Sequence, residues 1–253
     1  MLGMKPTGLP APIITWTGTT SGSQALLSSP NVPFATVGTY TFTVNRTCAF
    51  DLEAVGAGYQ GQNGSHVNFV SPDGAVGGGG GADGTASYTF IPNVTYEIRV
   101  PAPGSALSAF IGIQGGAKII EMNGASGSSG GAVGTGTGRA GGDGGIGGVG
   151  ESIAPGGQPG TTNGGTGGGG GGGAAGSIEL GGGGNGGGMT NGTADHGATP
   201  GQGDQGGDGA SVSCAGIAAG WGGGGGWSSN SPGPNGGTGS VGGPGAVEMN
   251  FTG

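Results

Sequence analysis

Charged side chains are scarce in this chain, and basic ones are the scarcest. Only 7% of the residues are charged, whereas ordinary globular domains contain roughly 25%. Five Lys and Arg stand against 13 Asp and Glu, which gives a formal net charge of −8 at pH 7. Binding to a nucleic acid backbone or to anionic lipids needs clustered basic side chains. We therefore expect no nucleic acid partner.

Long apolar runs, cysteine and histidine are also in short supply. No stretch approaches the roughly 18 apolar residues of a membrane-spanning helix, so no membrane insertion is expected. The opening MLGMKPTGLPAPIITWTG lacks the apolar core of a secretory signal. The two cysteines, Cys48 and Cys214, are far apart in sequence. Two buried free thiols are favoured over one disulfide, and no zinc-binding spacing occurs.

One short motif is typical of a nucleotide-binding turn. Gly56, Gly58 and Gly61 follow an apolar run and match the G-x-G-x-x-G spacing of dinucleotide-binding proteins. That motif works only where a helix follows directly, because the helix N-terminus holds the pyrophosphate. The next residues, QNGSHVNFVSPDG, contain too many helix-breaking residues. We therefore expect residues 62–70 to be non-helical and expect no nucleotide cofactor.

Catalytic and metal-binding signatures are equally weak. His66 and His196 lie outside any recognisable nucleophile–base motif such as G-x-S-x-G. Asp195, Asp204 and Asp208 are close in sequence, but their spacing is not that of a known calcium loop. The sequence therefore predicts a protein that is not an enzyme and that holds no cofactor and no metal.

Alternating apolar and polar residues indicate β-strands in the first half of the chain and at its end. The predicted strands are TYTFTV (39–44), CAFDLEAV (48–55), ASYTFI (86–91), TYEIRVP (95–101), SAFIGIQ (108–114), AKIIEM (117–122) and GAVEMNF (245–251). Gly, Pro and Asn turns separate them, which favours an all-β fold: an antiparallel β-sandwich or jelly roll with essentially no α-helix.

This pattern divides the chain into four parts. Residues 1–35, which Pro and Ser interrupt often, are predicted to be an N-terminal attachment arm. Residues 36–123 form the β-sandwich, residues 124–244 a glycine-rich insertion, and residues 245–253 a closing strand that returns to the sandwich.

Glycine is the most abundant residue, with 76 of 253 positions, and its spacing is locally regular. Every third residue is glycine at positions 138, 141, 144, 147 and 150. The left-handed polyproline II helix has three residues per turn and makes no internal hydrogen bonds. Glycine on two of its three edges lets neighbouring helices approach until their backbone groups pair. We therefore expect an inserted array of polyglycine II helices.

Four segments interrupt the glycine runs and hold most of the larger side chains: 151–163, 174–180, 189–200 and 221–235. Exposed loops on a rigid scaffold commonly carry binding residues. The predicted receptor contacts are Leu180, Met189, Asp195, His196, Trp221 and Trp227. Each has a plainer interpretation: the two tryptophans as apolar caps on glycine helices, Leu180 and Met189 as buried packing, and Asp195 and His196 as a solvated pair.

The strands and glycine runs together resemble a known family. GTYTFTV, FDLEAVGAGYQGQNG, GGGGGADGTASYTFIPNVTYEIRVPAPG and GAVEMNF look like the glycine-rich domain of tailed-phage fibre and tail-tip proteins, over roughly residues 37–253. The glycine-rich part is also similar to the distal adhesins of T4-like phages, which carry a sandwich of polyglycine II helices with receptor-binding loops. The amino-terminal part departs from those adhesins.

The resemblance implies a virion protein of a phage tail that is assembled in the host cytoplasm. Residues 1–35 would bind other tail proteins, and the loops would bind a host cell-surface receptor, either a protein or a glycan. The resemblance also implies a homotrimer. Two other functions fit the sequence: a capsid or tail decoration protein without receptor binding, and an ice-binding protein whose flat glycine face orders water.

Overall fold

The structure is a computed structural model that describes residues 11–62, 77–144, 211–223 and 239–253, with short backbone stretches at 161–162, 165–166 and 228–229. Every regular element in these residues is a β-strand. The strands are β1 (Ile13–Gly18), β2 (Gly22–Ala25), β3 (Asn31–Phe34), β4 (Gly38–Val44), β5 (Cys48–Val55), β6 (Asp83–Phe90), β7 (Tyr96–Val100), β8 (Ala109–Ile113), β9 (Lys118–Met122), β10 (Val133–Thr135), β11 (Thr137–Arg139), β12 (Thr161–Thr162), β13 (Gly165–Thr166), β14 (Val212–Cys214), β15 (Ile217–Ala219), β16 (Ser228–Ser229) and β17 (Ala246–Phe251).

Two antiparallel sheets form the body of the fold. The larger sheet has seven strands in the order β10-β9-β8-β7-β4-β1-β2, and the smaller has five in the order β11-β6-β5-β17-β3. Two further sets are small: the three short strands β12, β13 and β16 pair with one another, and β14 and β15 form a hairpin. The all-β fold and the antiparallel sheets that the sequence predicts are thus confirmed.

A single core lies between the two large sheets. Alternation along each strand turns the apolar side chains inward, so that Tyr40, Phe42 and Val44 of β4 are buried while the threonines between them are not. Phe90 lies at the centre of an aromatic cluster and is fully buried. Its ring centroid is 4.7–5.5 Å from those of Phe42, Phe50, Tyr88 and Tyr96. These edge-to-face contacts join side chains of both sheets.

The first 35 residues differ from the expected separate arm. Strands β1 and β2 extend the larger sheet and β3 extends the smaller one, so the predicted boundary at residue 35 falls inside the sandwich. In β3 a proline hid the strand from the sequence pattern. Pro33 lies in β3, which is an edge strand, and an edge strand tolerates a residue without an N–H. Val32 and Phe34 on either side of it are buried.

The sandwich has two distinct ends. At one end, strands β5, β7 and β9 finish, β17 begins, and the glycine-rich segments follow; we call this the array end. At the other, Asn45 N donates to Ile13 O at 3.1 Å and Ala49 N donates to Gly253 O at 2.6 Å. We call this the terminal end, since the described chain enters and leaves there. The two ends lie a full strand length apart.

Cys48 and Cys214 occupy separate apolar clusters. Cys48 belongs to the main core, whereas Cys214 packs with Val55, Ala219 and Ala246 under the β14–β15 hairpin. Both are buried free thiols, which agrees with the favoured interpretation of the sequence. Burial raises the pKa of both thiols, so neither is a reactive thiolate near neutral pH.

Candidate functional site

Six glycine-rich segments meet at the array end and form the candidate site. We define the glycine array as residues 56–62, 77–82, 123–131, 141–144, 220–223 and 239–245. None of these residues belongs to a strand. The central segment is 77–82, with the sequence GGGGGA, and all six of its residues are buried. A buried backbone must find partners for its polar groups, and here the partners lie in the other segments.

Donors of the central segment point in three directions in turn. Gly78 N and Gly81 N donate to Gly223 O and Gly220 O, both at 2.7 Å. One residue further on, Gly79 N and Ala82 N donate to Gly127 O and Asn123 O at 3.0 and 3.1 Å, and between them Gly80 N donates to Gly142 O at 2.9 Å. Residues three apart therefore bind the same neighbour. A β-strand, whose donors alternate between two sides, has no such pattern.

Segment 56–62 repeats this three-residue spacing. Gly56 N and Tyr59 N donate to Ala82 O and Gly79 O of the central segment, at 2.8 and 2.9 Å. Gly58 N and Gly61 N donate instead to Gly243 O and Ser240 O, both at 3.0 Å. This segment also accepts hydrogen bonds from Ala125 N and Gly223 N, both at 2.9 Å. It is therefore bonded to four other segments, whereas a strand in a sheet has at most two neighbours.

Only glycine allows the segments to come this close. A Cβ added at Gly78 or Gly81 would lie less than 3.0 Å from the carbonyl oxygen of Tyr59 or Gly56, a distance that real Cβ atoms do not show. At Gly58 the added Cβ would meet the carbonyl oxygen of Trp221. The close approach that joins the segments therefore excludes any side chain at these positions.

The motif at Gly56, Gly58 and Gly61 serves this packing. Its glycines contact the backbone of other array segments, and residues 56–62 contain no helix. The remainder of 62–70, which the sequence predicts to be non-helical, lies outside the described residues. Residue 62, which directly follows the motif, is the last described residue here and is not helical. Within the described residues, therefore, no helix N-terminus that could hold a phosphate follows the motif.

Trp221 is the one predicted receptor contact that the structure describes. It is half-buried in the array, where its indole ring lies against Gly243 and its carbonyl oxygen accepts a hydrogen bond from Gly243 N at 2.7 Å. This position suits an apolar cover on the glycine backbone. The other predicted contacts lie outside the described residues: Leu180, Met189, Asp195, His196 and Trp227. Asp204, Asp208 and His66 also lie outside them.

The predicted loops are anchored in the array or beside it. Gly144 N, the last described residue before the stretch that contains the first three loops, donates to Ser128 O at 2.7 Å. The chain returns at Ser211, next to Val212, which pairs with Ala219 beside the array. The fourth loop begins inside the array at Trp221, and the chain re-enters the array at Gly239. The described residues that flank 145–210 and 224–238 therefore lie in the array or beside it.

The β14–β15 hairpin is attached to the outer face of the smaller sheet beside a group of carboxyls. Ala215 N donates to Glu248 Oε2 at 2.7 Å, and Asn31 Nδ2 donates to the other oxygen of that carboxylate. Glu53 is paired with Glu248 across the strands. Burial, together with the negative charges of Asp83 and Glu248, raises the pKa of Glu53 to about 7.

Asp83 completes this group. Burial raises the pKa of its carboxyl, against the opposing effects of a backbone hydrogen bond and of Arg139. Its Oδ1 is buried and has no hydrogen-bond partner among the described residues. We refer to Glu53, Asp83 and Glu248 as the carboxyl cluster. The sequence pattern did not reveal it, because only the strand register brings these three residues together.

Within the described residues, no three His, Cys, Asp or Glu side chains are arranged to bind a metal ion, and no helix has the length and apolar character needed to cross a bilayer. No protein-family model matches the chain, and no curated protein matches it.

Proposed function

We propose that this chain is a tail-fibre or tail-tip adhesin of a tailed bacteriophage. In this proposal the β-sandwich carries a block of polyglycine II helices, and the block presents loops to a receptor on the host cell surface. The protein is not an enzyme and works without a cofactor.

The hydrogen bonds of the glycine array support the polyglycine II part of the proposal. A helix with three residues per turn directs the N–H groups of residues i and i+3 to the same side. Gly78 and Gly81 both donate to segment 220–223, and Gly58 and Gly61 both donate to segment 239–245. Segments 56–62 and 77–82 each have more than two neighbours, which makes a block rather than a sheet, and such a block suits a rigid tip.

The observation that carries the adhesin proposal is the position of the described residues that flank the predicted loops. Segments 145–210 and 224–238 connect residues of the array end, whereas Ala11 and Gly253 lie at the terminal end. A fibre component needs one end for attachment and the opposite end for contact with the host. We assign attachment to the terminal end with residues 1–10, and receptor contact to the array end. A homotrimer would multiply weak contacts through valency and stays a prediction.

Cell binding with altered loops tests the proposal. The purified chain is labelled and its binding to a panel of bacterial strains is measured, first with the natural sequence. In two variants residues 189–200 or residues 224–235 are replaced by a Gly-Ser linker of equal length, so that the array segment 220–223 is kept. We expect at least one strain to be bound, and at least about tenfold weaker binding of one variant, since a few contacts usually carry the affinity.

The matched control is a change at the terminal end. Asn93, in the turn between β6 and β7, has a φ of +65°, so Asn93→Gly keeps the turn and should leave cell binding unchanged. Equal binding by both loop variants and the natural chain would remove the receptor-binding role. A position in the capsid shell of a virion, seen by electron microscopy, would favour the decoration function instead.

A further inference from the structure

A polar groove lies on the outer face of the smaller sheet, and none of the described residues that line it belongs to the array. It has a volume of about 560 Å³, within the usual range of small-molecule sites, roughly 300–1,000 Å³. Strands β5, β6, β11 and β17 supply its walls. The polar side chains that line it are Asp51, Glu53, Thr85, Ser87, Thr137 and Asn250.

Strand register places these side chains in two rows across the sheet. In the first row Thr85 is paired with Glu53 on one side and with Thr137 on the other. In the second row Asp51 is paired with Ser87 and with Asn250. Residues two apart on a strand share a face, so both rows face the same side of the sheet and together span four strands.

Much of the hydrogen-bonding capacity in the groove is unused. The side chains of Glu53, Thr85 and Thr137 make no hydrogen bond with another residue that the structure describes, and Asp51 accepts one, from Ser87 Oγ at 2.6 Å. A carboxylate has about four acceptor positions, and each hydroxyl both donates and accepts. The groove therefore presents a mixed set of donors and acceptors held on a rigid sheet.

The charge of the groove selects among ligands. Asp51 and Glu53 line it, and none of the described lining residues is Lys, Arg or His. Phosphates, sulfates and acidic sugars would meet uncompensated negative charge there, while a lipid tail would leave the polar groups unpaired. A ligand that offers several hydroxyls and no negative charge satisfies both conditions.

We propose that this groove binds a saccharide without acidic groups, whose hydroxyls pair with Glu53, Thr85, Thr137 and Asp51. None of these four residues belongs to the predicted loops, so the site is tested independently of the receptor-binding role proposed for the loops. The groove would give the chain a second binding site, for a glycan, on the outer face of the smaller sheet.

Titration with defined sugars, followed by ¹H–¹⁵N NMR of the full chain, tests this proposal. The probes are lactose, maltose and N,N′-diacetylchitobiose, and 3′-sialyllactose serves as the acidic partner of lactose. We expect at least one neutral sugar to shift the amides of residues 51–53 and 85–87, with a Kd in the range of roughly 1–10 mM. If lactose binds, sialyllactose should bind at least about tenfold more weakly, as measured from the shifts of the same amides.

Two lysine variants on one strand provide the matched pair. Thr85→Lys fills the groove, whereas Thr89→Lys places the same side chain on the same face of β6, outside the groove. Thr85→Lys should weaken sugar binding at least about tenfold and Thr89→Lys should leave it unchanged. Three results overturn the proposal: no neutral sugar shifts these amides up to about 50 mM, both variants bind equally well, or sialyllactose binds as tightly as lactose.

Discussion

The β-sandwich and the glycine array are held together by opposite means. In the sandwich, side chains do the packing: Phe90 alone contacts four other rings of the core. In the array, segment 77–82 has one side-chain carbon, the methyl group of Ala82, and is joined to its neighbours by backbone hydrogen bonds. The sandwich therefore depends on the presence of Cβ atoms and the array on their absence.

This difference also concerns entropy. Glycine loses more conformational freedom on folding than any other residue, so an ordered glycine segment starts with a larger cost than a strand. Each buried backbone hydrogen bond returns only about 0.5–1.5 kcal/mol. The array therefore needs many partners for each segment, and its several-sided bonding supplies them.

Removal of a core ring should have the largest effect. Phe90→Ala leaves a cavity among four aromatic side chains and should lower the free energy of unfolding by about 3–5 kcal/mol. Urea unfolding followed by tryptophan fluorescence measures this change. Ile91→Ala, at a side chain that is 48% exposed, is the control and should change the stability by less than about 1 kcal/mol. A loss for Phe90→Ala no larger than that of the control would show that the sandwich core is not the main source of stability.

Addition of one methyl group to the array should have the next largest effect. In Gly81→Ala the new Cβ meets the carbonyl oxygen of Gly56, so segments 56–62 and 77–82 must move apart, at a cost of about 2–3 kcal/mol. Amide hydrogen exchange should accelerate in both segments and much less in β5.

The control for this change is a glycine in open space. Gly115 has a φ of +68° and no atom near an added Cβ, and asparagine tolerates that conformation. Gly115→Asn should leave exchange in the array unchanged. If the two glycine variants behave alike, close approach is not what makes the array glycines necessary.

Replacement of the Glu53 carboxyl should change the stability least. The pH dependence of the stability is what identifies this contribution. Because the pKa of Glu53 is raised from 4.5 to about 7 in the folded chain, the folded state holds the proton more tightly than the unfolded state. Stability is therefore highest where Glu53 is protonated in both states and falls as the pH rises from about 4.5 to 7. Half exposure of the group limits the fall to about 1–2 kcal/mol.

Glu53→Gln should flatten this part of the pH profile, leaving the portion that Asp83 contributes, since the pKa of Asp83 is raised as well. Urea midpoints measured at several pH values between 5 and 8 give the slope. Glu97→Gln, on the larger sheet, removes a carboxyl away from the carboxyl cluster and should keep the natural slope. A slope that Glu53→Gln leaves unchanged would show that Glu53 does not titrate in this range.

The sequence predicts where the strands lie along the chain far better than it predicts which strands pair in a sheet. β5 has the predicted bounds, 48–55, because alternation of Phe50, Leu52 and Ala54 with Asp51 and Glu53 is a local signal. Strand β3 is missed by the sequence pattern, because Pro33 indicates a break until the strand is known to lie at a sheet edge. The difference between the two cases is that edge position is a property of the whole sheet.

Pairing inside the array could not be predicted at all. Residues 77–81 are all glycine, so this run has no side chain whose size, charge or shape would select a partner. The groove shows an intermediate case. The outward alternation of Asp51 and Glu53 is visible in the sequence, but their meeting with Thr85 and Asn250 depends on register.

The three-residue alternation in the array has a consequence for how such a chain varies in length. An insertion of three residues between two array contacts adds one full repeat, so every later N–H still points at the neighbour it had before. An insertion of one or two residues turns each later N–H towards a different neighbour and breaks the match along the rest of the segment. Related chains should therefore gain or lose residues within these segments in steps of three, much as coding sequences change length in whole codons.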